Sequence, residues 1–211
     1  MKMSNDLISI LLSSYNSEKT IQNSVNSILE QNYSNFELLI IDDCSTDDTY
    51  KIIEKCAAED DRIKIYKNNK NIGLTKSLNK LLKVAEGSFI GRQDADDISF
   101  PNRFSYQLEY IKRTKAKIVT ARAIIKNSNK KIPKYSYLFP NRFVMKYKNP
   151  FIHGTLLIDR SVIEKIGGAL FLTSFTTAVG FCSLALTNIR VTQEFGLIVG
   201  FGVILMFLLT I

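Results

Sequence analysis

Ser88-Phe89-Ile90-Gly91-Arg92-Gln93-Asp94-Ala95-Asp96-Asp97 runs from a short apolar segment straight into three carboxylates within four residues. If the chain is extended here, successive side chains alternate faces, so Asp94 and Asp96 fall on one side and Ala95 on the other. Two carboxylates held together repel unless a hard divalent ion, a proton or a basic neighbour compensates them. The bland alternative is a solvated acidic turn ahead of a helix that begins near Pro101. What flanks the cluster separates the two.

Downstream, Pro101 suits the first turn of a helix carrying Phe104, Leu108 and Ile111 on its apolar side. Upstream, Leu74, Leu78, Leu81, Leu82 and Ala85 form the stripe of a helix that Gly87 stops, so Ser88 to Arg92 reads as a strand. The same alternation repeats toward the amino end. Leu7 to Leu12 is a near-continuous apolar run ending in Ser13-Ser14-Tyr15-Asn16, followed by helical spacing of Ile21, Val25, Ile28 and Leu29 between Glu18 and Gln31. Phe36 to Ile41 is the next strand, ending in Asp42-Asp43-Cys44-Ser45. Ser45-Thr46-Asp47-Asp48 then predicts a helix capped at Ser45, with Ile52, Ile53, Cys56 and Ala57 inward. Ile63 to Tyr66 predicts a short strand and Ile118 to Ala123 another. Strands alternating with helices imply an α/β fold, a mostly parallel sheet with helices on both faces.

In such sheets ligands bind beyond the carboxyl ends of the strands. Three polar clusters share that edge: residues 13–16, 42–45 and 94–97. Their convergence favours a binding role for Asp94 and Asp96 over a chance acidic turn. No G-x-G-x-x-G follows the first strand and no G-x-x-x-x-G-K-[ST] occurs, so bound phosphates would be held through a metal.

Composition divides the chain in two. Of its 211 residues, 45% are hydrophobic and 23% charged, and the formal charge is +8, but beyond Gly168 only Arg190 and Glu194 are charged. The basic excess is scattered among Asn and Ser without aromatic interleaving, which argues against nucleic acid and for anionic membrane lipid. Cys44, Cys56 and Cys182 lack metal-ligand spacing and fit reduced thiols facing the cytoplasm. Residues 1–6 carry no apolar signal-peptide core.

Over residues 6–167 the chain resembles the family 2 glycosyltransferases of the GT-A (Rossmann-like) fold. The resemblance lies in Ser14-Tyr15-Asn16, Ser27-Ile28-Leu29-Glu30-Gln31, Ile41-Asp42-Asp43-Cys44-Ser45-Thr46-Asp47, Asn71-Ile72-Gly73-Leu74, Asp94-Ala95-Asp96 and Ile152-His153-Gly154-Thr155, in that order. It implies a nucleotide-diphosphate-sugar donor, usually a UDP-sugar, for transfer to an acceptor. Carried over, Ser13 and Tyr15 contact base and ribose, Asp43 the base and Asp94 the ribose, while Asp96 binds Mg²⁺ or Mn²⁺. His153 lies near the diphosphate or the acceptor. Read without the resemblance, Tyr15 fits half-buried packing, Asp42 a capped sheet edge, and the lone His153 a structural role.

The family pattern continues with an acidic pair supplying the general base, but here residues 169–189 are twenty-one uncharged positions, about 31 Å as a helix at ~1.5 Å per residue. A polar link, residues 190–194, precedes a second apolar run at 195–211. A transmembrane hairpin is expected over 168–211, with Gly196 and Gly200 as a packing face toward a membrane-protein partner. This part resembles two helices of resistance-nodulation-division and patched-like transporters. The expectation is therefore a glycosyltransferase nucleotide-sugar-binding domain over 1–167, anchored by its hairpin at the cytoplasmic face of the cell membrane. It leaves the catalytic base unassigned. The alternative is a non-catalytic nucleotide-binding or membrane-interaction protein arising from fusion with a transporter fragment.

Overall fold

The structure is a computed structural model, and it describes residues 6–125, 130–132 and 152–166. The chain divides into two compact units, residues 1–121 with 154–166 and residues 122–153 with 167–211.

The first unit is built on a six-stranded sheet. In chain order its elements are β1 (Ile8–Ser14), α1 (Ile21–Leu29), β2 (Phe36–Asp42), α2 (Thr49–Glu59), β3 (Ile63–Lys67), α3 (Leu74–Val84), β4 (Phe89–Asp94), α4 (Arg103–Thr114) and β5 (Ile118–Val119). After the second unit's strands β6 (Ala123–Ile125) and β7 (Lys130–Ile132), an antiparallel pair, come a 3₁₀ turn at His153–Thr155, β8 (Leu157–Asp159) and α5 (Arg160–Ile166). The sheet order is β3-β2-β1-β4-β8-β5. β3, β2, β1 and β4 pair in parallel, whereas β8 runs antiparallel to both β4 and β5.

β1 and β2 are central strands with apolar residues on both faces, which is why their sequences read as unbroken runs. Ile8, Ile10, Leu12, Leu38 and Ile40 join Ile21, Val25, Ile28, Ile53, Cys56, Phe104, Leu108 and Ile111 in one buried cluster. The alternate residues Leu11, Leu39 and Ile41 are equally buried and belong to the other face, where α3 packs with Leu78 and Leu81. At the amino edge Gly87 leaves no room for a side chain: a Cβ there would lie 2.5 Å from the Ser9 backbone nitrogen. Its role is this close packing, since α3 ends earlier, at Val84, with Ala85 already extended.

Several boundaries differ from the sequence reading for identifiable reasons. The expected cap at Ser45 does not form: helix α2 starts four residues later, because the Ser45 hydroxyl and amide both bond the carboxylate of Asp42. Helix α1 starts at Ile21 rather than Glu18, since residues 17–20 turn back on themselves, with Thr20 N–H donating to Ser17 O at 3.0 Å. The strand expected over 118–123 is interrupted into β5 and β6, and the apolar run after the 3₁₀ turn at His153–Thr155 forms β8. Strand β4 extends to Asp94, after which Ala95 and Asp96 form a turn closed by Asp97 N–H to Asp94 O at 3.2 Å. The expected alternation therefore stops at Asp94. Strand geometry does not place Asp96 beside it.

The expected hairpin at 169–189 and 195–211 lies outside the described residues. Among those described, no helix is long and apolar enough to cross a membrane.

Candidate functional site

The chain runs β1, β2, β3 in one direction across the sheet and then returns to place β4 on the other side of β1. The strand order reverses there, the place where open α/β sheets bind ligands beyond the carboxyl ends of their strands. Ser13 and Asp94 are register partners at these adjacent strand ends. A cleft of about 710 Å³ opens above them, lined by Ser13, Tyr15, Lys19, Arg92, Asp94 and Asp96 among others. Four of the expected site residues thus meet in one cavity, although they are up to 83 positions apart in sequence, counted from Ser13 to Asp96.

The rim is held by bonds between the loops after β1 and β2. Asn16, in a left-handed conformation at φ 48°, accepts Thr46 N–H on Oδ1 at 2.9 Å and donates its own N–H to Ser45 Oγ at 3.0 Å. Ser17 N–H reaches Thr49 Oγ1 at 2.7 Å and Glu18 N–H reaches Asp47 Oδ2 at 3.1 Å. Short polar side chains following a strand are therefore spent on fixing one loop to the next. Tyr15 is left half-exposed, with its ring on the cleft.

The acidic turn already has its cation. Arg92, itself buried, donates to Asp94 Oδ1 from Nε at 2.9 Å and from Nη2 at 2.8 Å, a charge-assisted pair. Behind the turn, Gln93 Nε2 donates to Asp97 O at 2.8 Å, and Ser24 Oγ donates to Asp94 O at 2.9 Å. Gln93 Oε1 in turn accepts from Ser99 Oγ and from Arg103 Nη1, both at 2.8 Å. The buried Arg103 also donates from Nη2 to Arg92 O at 2.8 Å. Burial lowers the Arg103 pKa to about 10, against the opposing pull of Asp97 and Asp94, so it stays protonated at neutral pH. Asp97 is pushed above the usual carboxylate range, first by desolvation and then by the charges of Asp94 and Asp96.

Gly154 closes the other side of the turn. A Cβ there would lie 2.5 Å from Asp97 Oδ2 and 2.9 Å from Asp94 Oδ2, so only a glycine admits both carboxylates in these positions. No site role is assigned to Arg92 or Arg103 from sequence, and Gly154 enters only as part of the Ile152-His153-Gly154-Thr155 motif. A signal for Arg103 existed: with Gln107 it stands one turn apart, beside the apolar stripe of Phe104, Leu108 and Ile111.

Asp43 stands apart from the cleft lining. It is buried, and its carboxylate accepts Asn68 Nδ2 at 2.8 Å and Ile72 N–H at 2.9 Å on Oδ1, and Gly73 N–H at 2.8 Å on Oδ2. Gly73 has φ +85°, a conformation that favours glycine, and Asp43 fixes this turn at the start of α3. His153 falls in the second unit, and no role in this cleft is assigned to it.

Among the described residues no group of three or more His, Cys, Asp or Glu side chains could by itself hold a metal ion. Asp94 is engaged by Arg92, whereas Asp96 is exposed at the cleft with no hydrogen bond or ion pair to a described residue. That donor set fits a hard divalent ion held by one carboxylate together with oxygens of a phosphate ligand, the usual Mg²⁺ arrangement, and does not fit an all-protein cage.

The sequence model of Glycosyl transferase family 2 matches residues 9–167. The chain belongs to this family. Over 164 residues it is 35% identical to the putative glycosyltransferase EpsE of Bacillus subtilis (strain 168), covering 76% of this chain and 59% of EpsE. It is 37% identical over 134 residues to an Escherichia coli enzyme, UDP-Glc:alpha-D-GlcNAc-diphosphoundecaprenol beta-1,3-glucosyltransferase WfgD, covering 63% of this chain and 52% of WfgD. The chain thus spans between half and three-fifths of the length of these family 2 relatives. Among solved structures it is similar to S. aureus TarS in complex with UDP, with a TM-score of 0.67 at 22% identity over 82% of this chain and 55% of that one. It is also similar to the mannosyltransferase PcManGT of Pyrobaculum calidifontis in complex with GDP-Man and Mn²⁺, with a TM-score of 0.64 at 19% identity over 82% of this chain and 52% of that one. These likenesses establish the GT-A-like fold of the family 2 domain. The family match ends at residue 167, and none of these relatives supports the transporter resemblance of residues 169–211.

Proposed function

We propose that the cleft between β1 and β4 binds a nucleoside diphosphate sugar, a UDP-sugar first of all, with one divalent cation, and that the sugar is transferred to an acceptor. The observation that carries this reading is the meeting of Ser13, Tyr15, Asp94 and Asp96 at the switch point of the sheet, with Asp94 held by Arg92 and the Asp96 carboxylate making no hydrogen bond or ion pair with a described residue. Ser13 and Tyr15 take the nucleoside, Tyr15 offering its exposed ring to a base face. Asp94, bonded to Arg92 through Oδ1, keeps Oδ2 as an acceptor for a ribose hydroxyl. Asp43, with one acceptor position left on Oδ2 beyond its bond from Gly73, is assigned to the base side. Asp96 holds Mg²⁺ or Mn²⁺ jointly with the diphosphate. The cation supplies Lewis-acid stabilisation of the negative charge on a leaving nucleoside diphosphate. Support comes from relatives: TarS structures contain UDP and UDP-GlcNAc, PcManGT contains GDP-Man with Mn²⁺, and WfgD is named for a UDP-Glc donor.

Thermal unfolding with UDP-glucose, UDP-GlcNAc or GDP-mannose, each with and without Mn²⁺, tests the reading. A ligand at 100 times its Kd stabilises by about 2.7 kcal/mol, and about 2–4 °C per kcal/mol is typical for a chain of this size. A rise of roughly 5–10 °C is expected with the correct donor and Mn²⁺. Asp96→Ala should remove the part that depends on Mn²⁺. A melting curve indifferent to every donor would overturn the proposal. Transfer of labelled sugar to a lipid-linked acceptor, the class named for WfgD, separates a transferase from a protein that only binds nucleotide. Anchoring at the cytoplasmic membrane face through residues 169–211 is part of the same proposal, and flotation of the chain with and without those residues on liposomes tests it.

A further inference from the structure

We propose that Arg103 is a positioning residue of this site: buried behind the Asp94–Asp97 turn, it holds the turn in its binding form before any metal or nucleotide arrives. The inference rests on the nucleotide-sugar reading only for what the turn binds. The structure of the turn argues for the rest.

Three carboxylates lie at positions 94, 96 and 97 of one turn and must be kept together against their mutual repulsion. Arg92 compensates Asp94 directly. Arg103 forms no ion pair with Asp96 or Asp97 and acts through neutral groups instead. Its Nη1 donates to Gln93 Oε1, which orients the Gln93 amide so that Nε2 donates to Asp97 O at 2.8 Å and, more weakly, to Asp94 O at 3.4 Å. Its Nη2 donates to Arg92 O at 2.8 Å, fixing the backbone from which the Arg92 guanidinium reaches Asp94. Further bonds run from Nη1 to Ser99 Oγ at 2.8 Å and from Nε to Gln107 Oε1 at 3.3 Å. Gln107 in turn donates to Thr155 O at 2.8 Å, so the arginine is also linked to the chain that follows Gly154. A planar guanidinium can serve four acceptors in these directions at once, and a lysine ammonium cannot.

The burial makes this arrangement hard to explain as ordinary packing. Arg103 is 7% exposed. A buried charge is costly unless its surroundings repay it, and here the repayment is the field of the carboxylates on the far side of Gln93. The arginine and the turn therefore stabilise one another, and neither needs a metal for it.

Hydrogen exchange of the ligand-free, metal-free full chain is the first test. The Asp97 amide, bonded to Asp94 O, should be protected in the wild type and should exchange at least ~10-fold faster in Arg103→Lys, with exchange in β1 and β2 unchanged. The second test is binding. Arg103→Lys should reduce the enhancement of UDP affinity by Mn²⁺ about tenfold while changing the affinity for UDP alone by less than about threefold, because the turn carries Asp96 and the nucleoside side does not. If Arg103→Lys does not fold, Gln93→Met cuts the link to the turn while leaving Arg103 its bonds to Ser99, Gln107 and Arg92, and it should show the same two changes. Unchanged Asp97 exchange in the folded variant refutes the positioning role, whatever the nucleotide result. Altered exchange together with a wild type that binds no nucleotide overturns only the reading of what the turn binds.

Discussion

Gly154→Ala is the sharpest test of how closely the acidic turn is packed. The added methyl would sit 2.5 Å from Asp97 Oδ2 and 2.9 Å from Asp94 Oδ2, against an ordinary contact of 3.4 Å or more. To reach 3.4 Å the first oxygen must retreat by roughly 0.9 Å and the second by roughly 0.5 Å, the differences between those distances. Asp97 can rotate away at smaller cost, since its carboxylate makes no hydrogen bond or ion pair with a described residue. Asp94 cannot do so freely. Its other oxygen is held by two Arg92 donors at 2.9 and 2.8 Å, and moving the carboxylate lengthens or bends them. Hydrogen bonds to charged groups contribute about 1.5–3 kcal/mol, and weakening without breaking them costs about 1–2 kcal/mol. For a chain of this length that is a fall in Tm of roughly 2–8 °C. UDP affinity in the presence of Mn²⁺ should fall by at least about tenfold, because both displaced carboxylates belong to the turn that carries Asp96. Differential scanning fluorimetry and isothermal titration calorimetry on the same preparations read the two effects. An alanine variant with unchanged Tm and unchanged affinity would show that the turn yields at no cost, and the packing argument would be wrong.

Three other substitutions probe parts of the fold that support the site. Burial would raise the Glu37 pKa, but hydrogen bonds from Ser9, Lys64 and the Glu86 N–H hold it below its ordinary value of 4.5. A depressed carboxylate contributes stability that is fully present above the ordinary pKa and is lost as pH falls through the folded value, so Glu37→Gln should flatten the acid limb of Tm against pH below about 4.5. An unaltered slope would remove Glu37 from the acid transition. Lys115 ends α4 in the left-handed region at φ 57°, so Lys115→Gly should stabilise by about 0.5–1 kcal/mol in urea unfolding; a loss of stability would contradict this. Asp43→Ala leaves three donors, from Asn68, Ile72 and Gly73, without their acceptor, and should cost about 2–4 kcal/mol. A cost under about 1 kcal/mol would mean that water replaces the carboxylate.

Much of the sheet is legible in the chain because β1, β2 and β4 are apolar runs ending in polar clusters, and each precedes a helix of 3.6-residue periodicity. That periodicity is local, so it survives in the sequence. What pairs across long separations does not. β8 spans only Leu157–Asp159 and lies antiparallel beside β4, whose register partners are 66–70 positions away, and nothing in three residues announces that pairing. The site divides the same way. Ser13, Tyr15, Asp94 and Asp96 follow from the rule that ligands sit beyond the strand ends, and they line one cleft. Asp43 follows the same rule, yet its carboxylate turns toward the 68–73 segment, because two backbone N–H groups there lack other partners. The helix cap expected at Ser45 failed by a similar competition: its Oγ accepts Asn16 N–H instead of a helix N–H, while its hydroxyl and amide donate to the Asp42 carboxylate.

On the proposed reading of the cleft, the arginines also change what a metal is for. Asp94, Asp96 and Asp97 bring three negative charges when ionised, and Arg92 and Arg103 return two, leaving about one uncompensated charge spread over an exposed turn. Water tolerates that, so the ligand-free turn has little call for a divalent ion. A nucleoside diphosphate sugar adds roughly two more negative charges at neutral pH, and a single Mn²⁺ restores the balance the turn had before. The cation then compensates the ligand and not the protein. It follows that Mn²⁺ alone should bind weakly and that UDP should raise its affinity by the same factor by which Mn²⁺ raises that of UDP, as linkage requires. Counting free Mn²⁺ by electron paramagnetic resonance during titrations with and without UDP measures the first factor, and calorimetry measures the second. Tight Mn²⁺ binding to the nucleotide-free chain, indifferent to UDP, would mean that the carboxylates and not the diphosphate define the metal site, and that the two arginines leave more charge exposed than their hydrogen bonds imply.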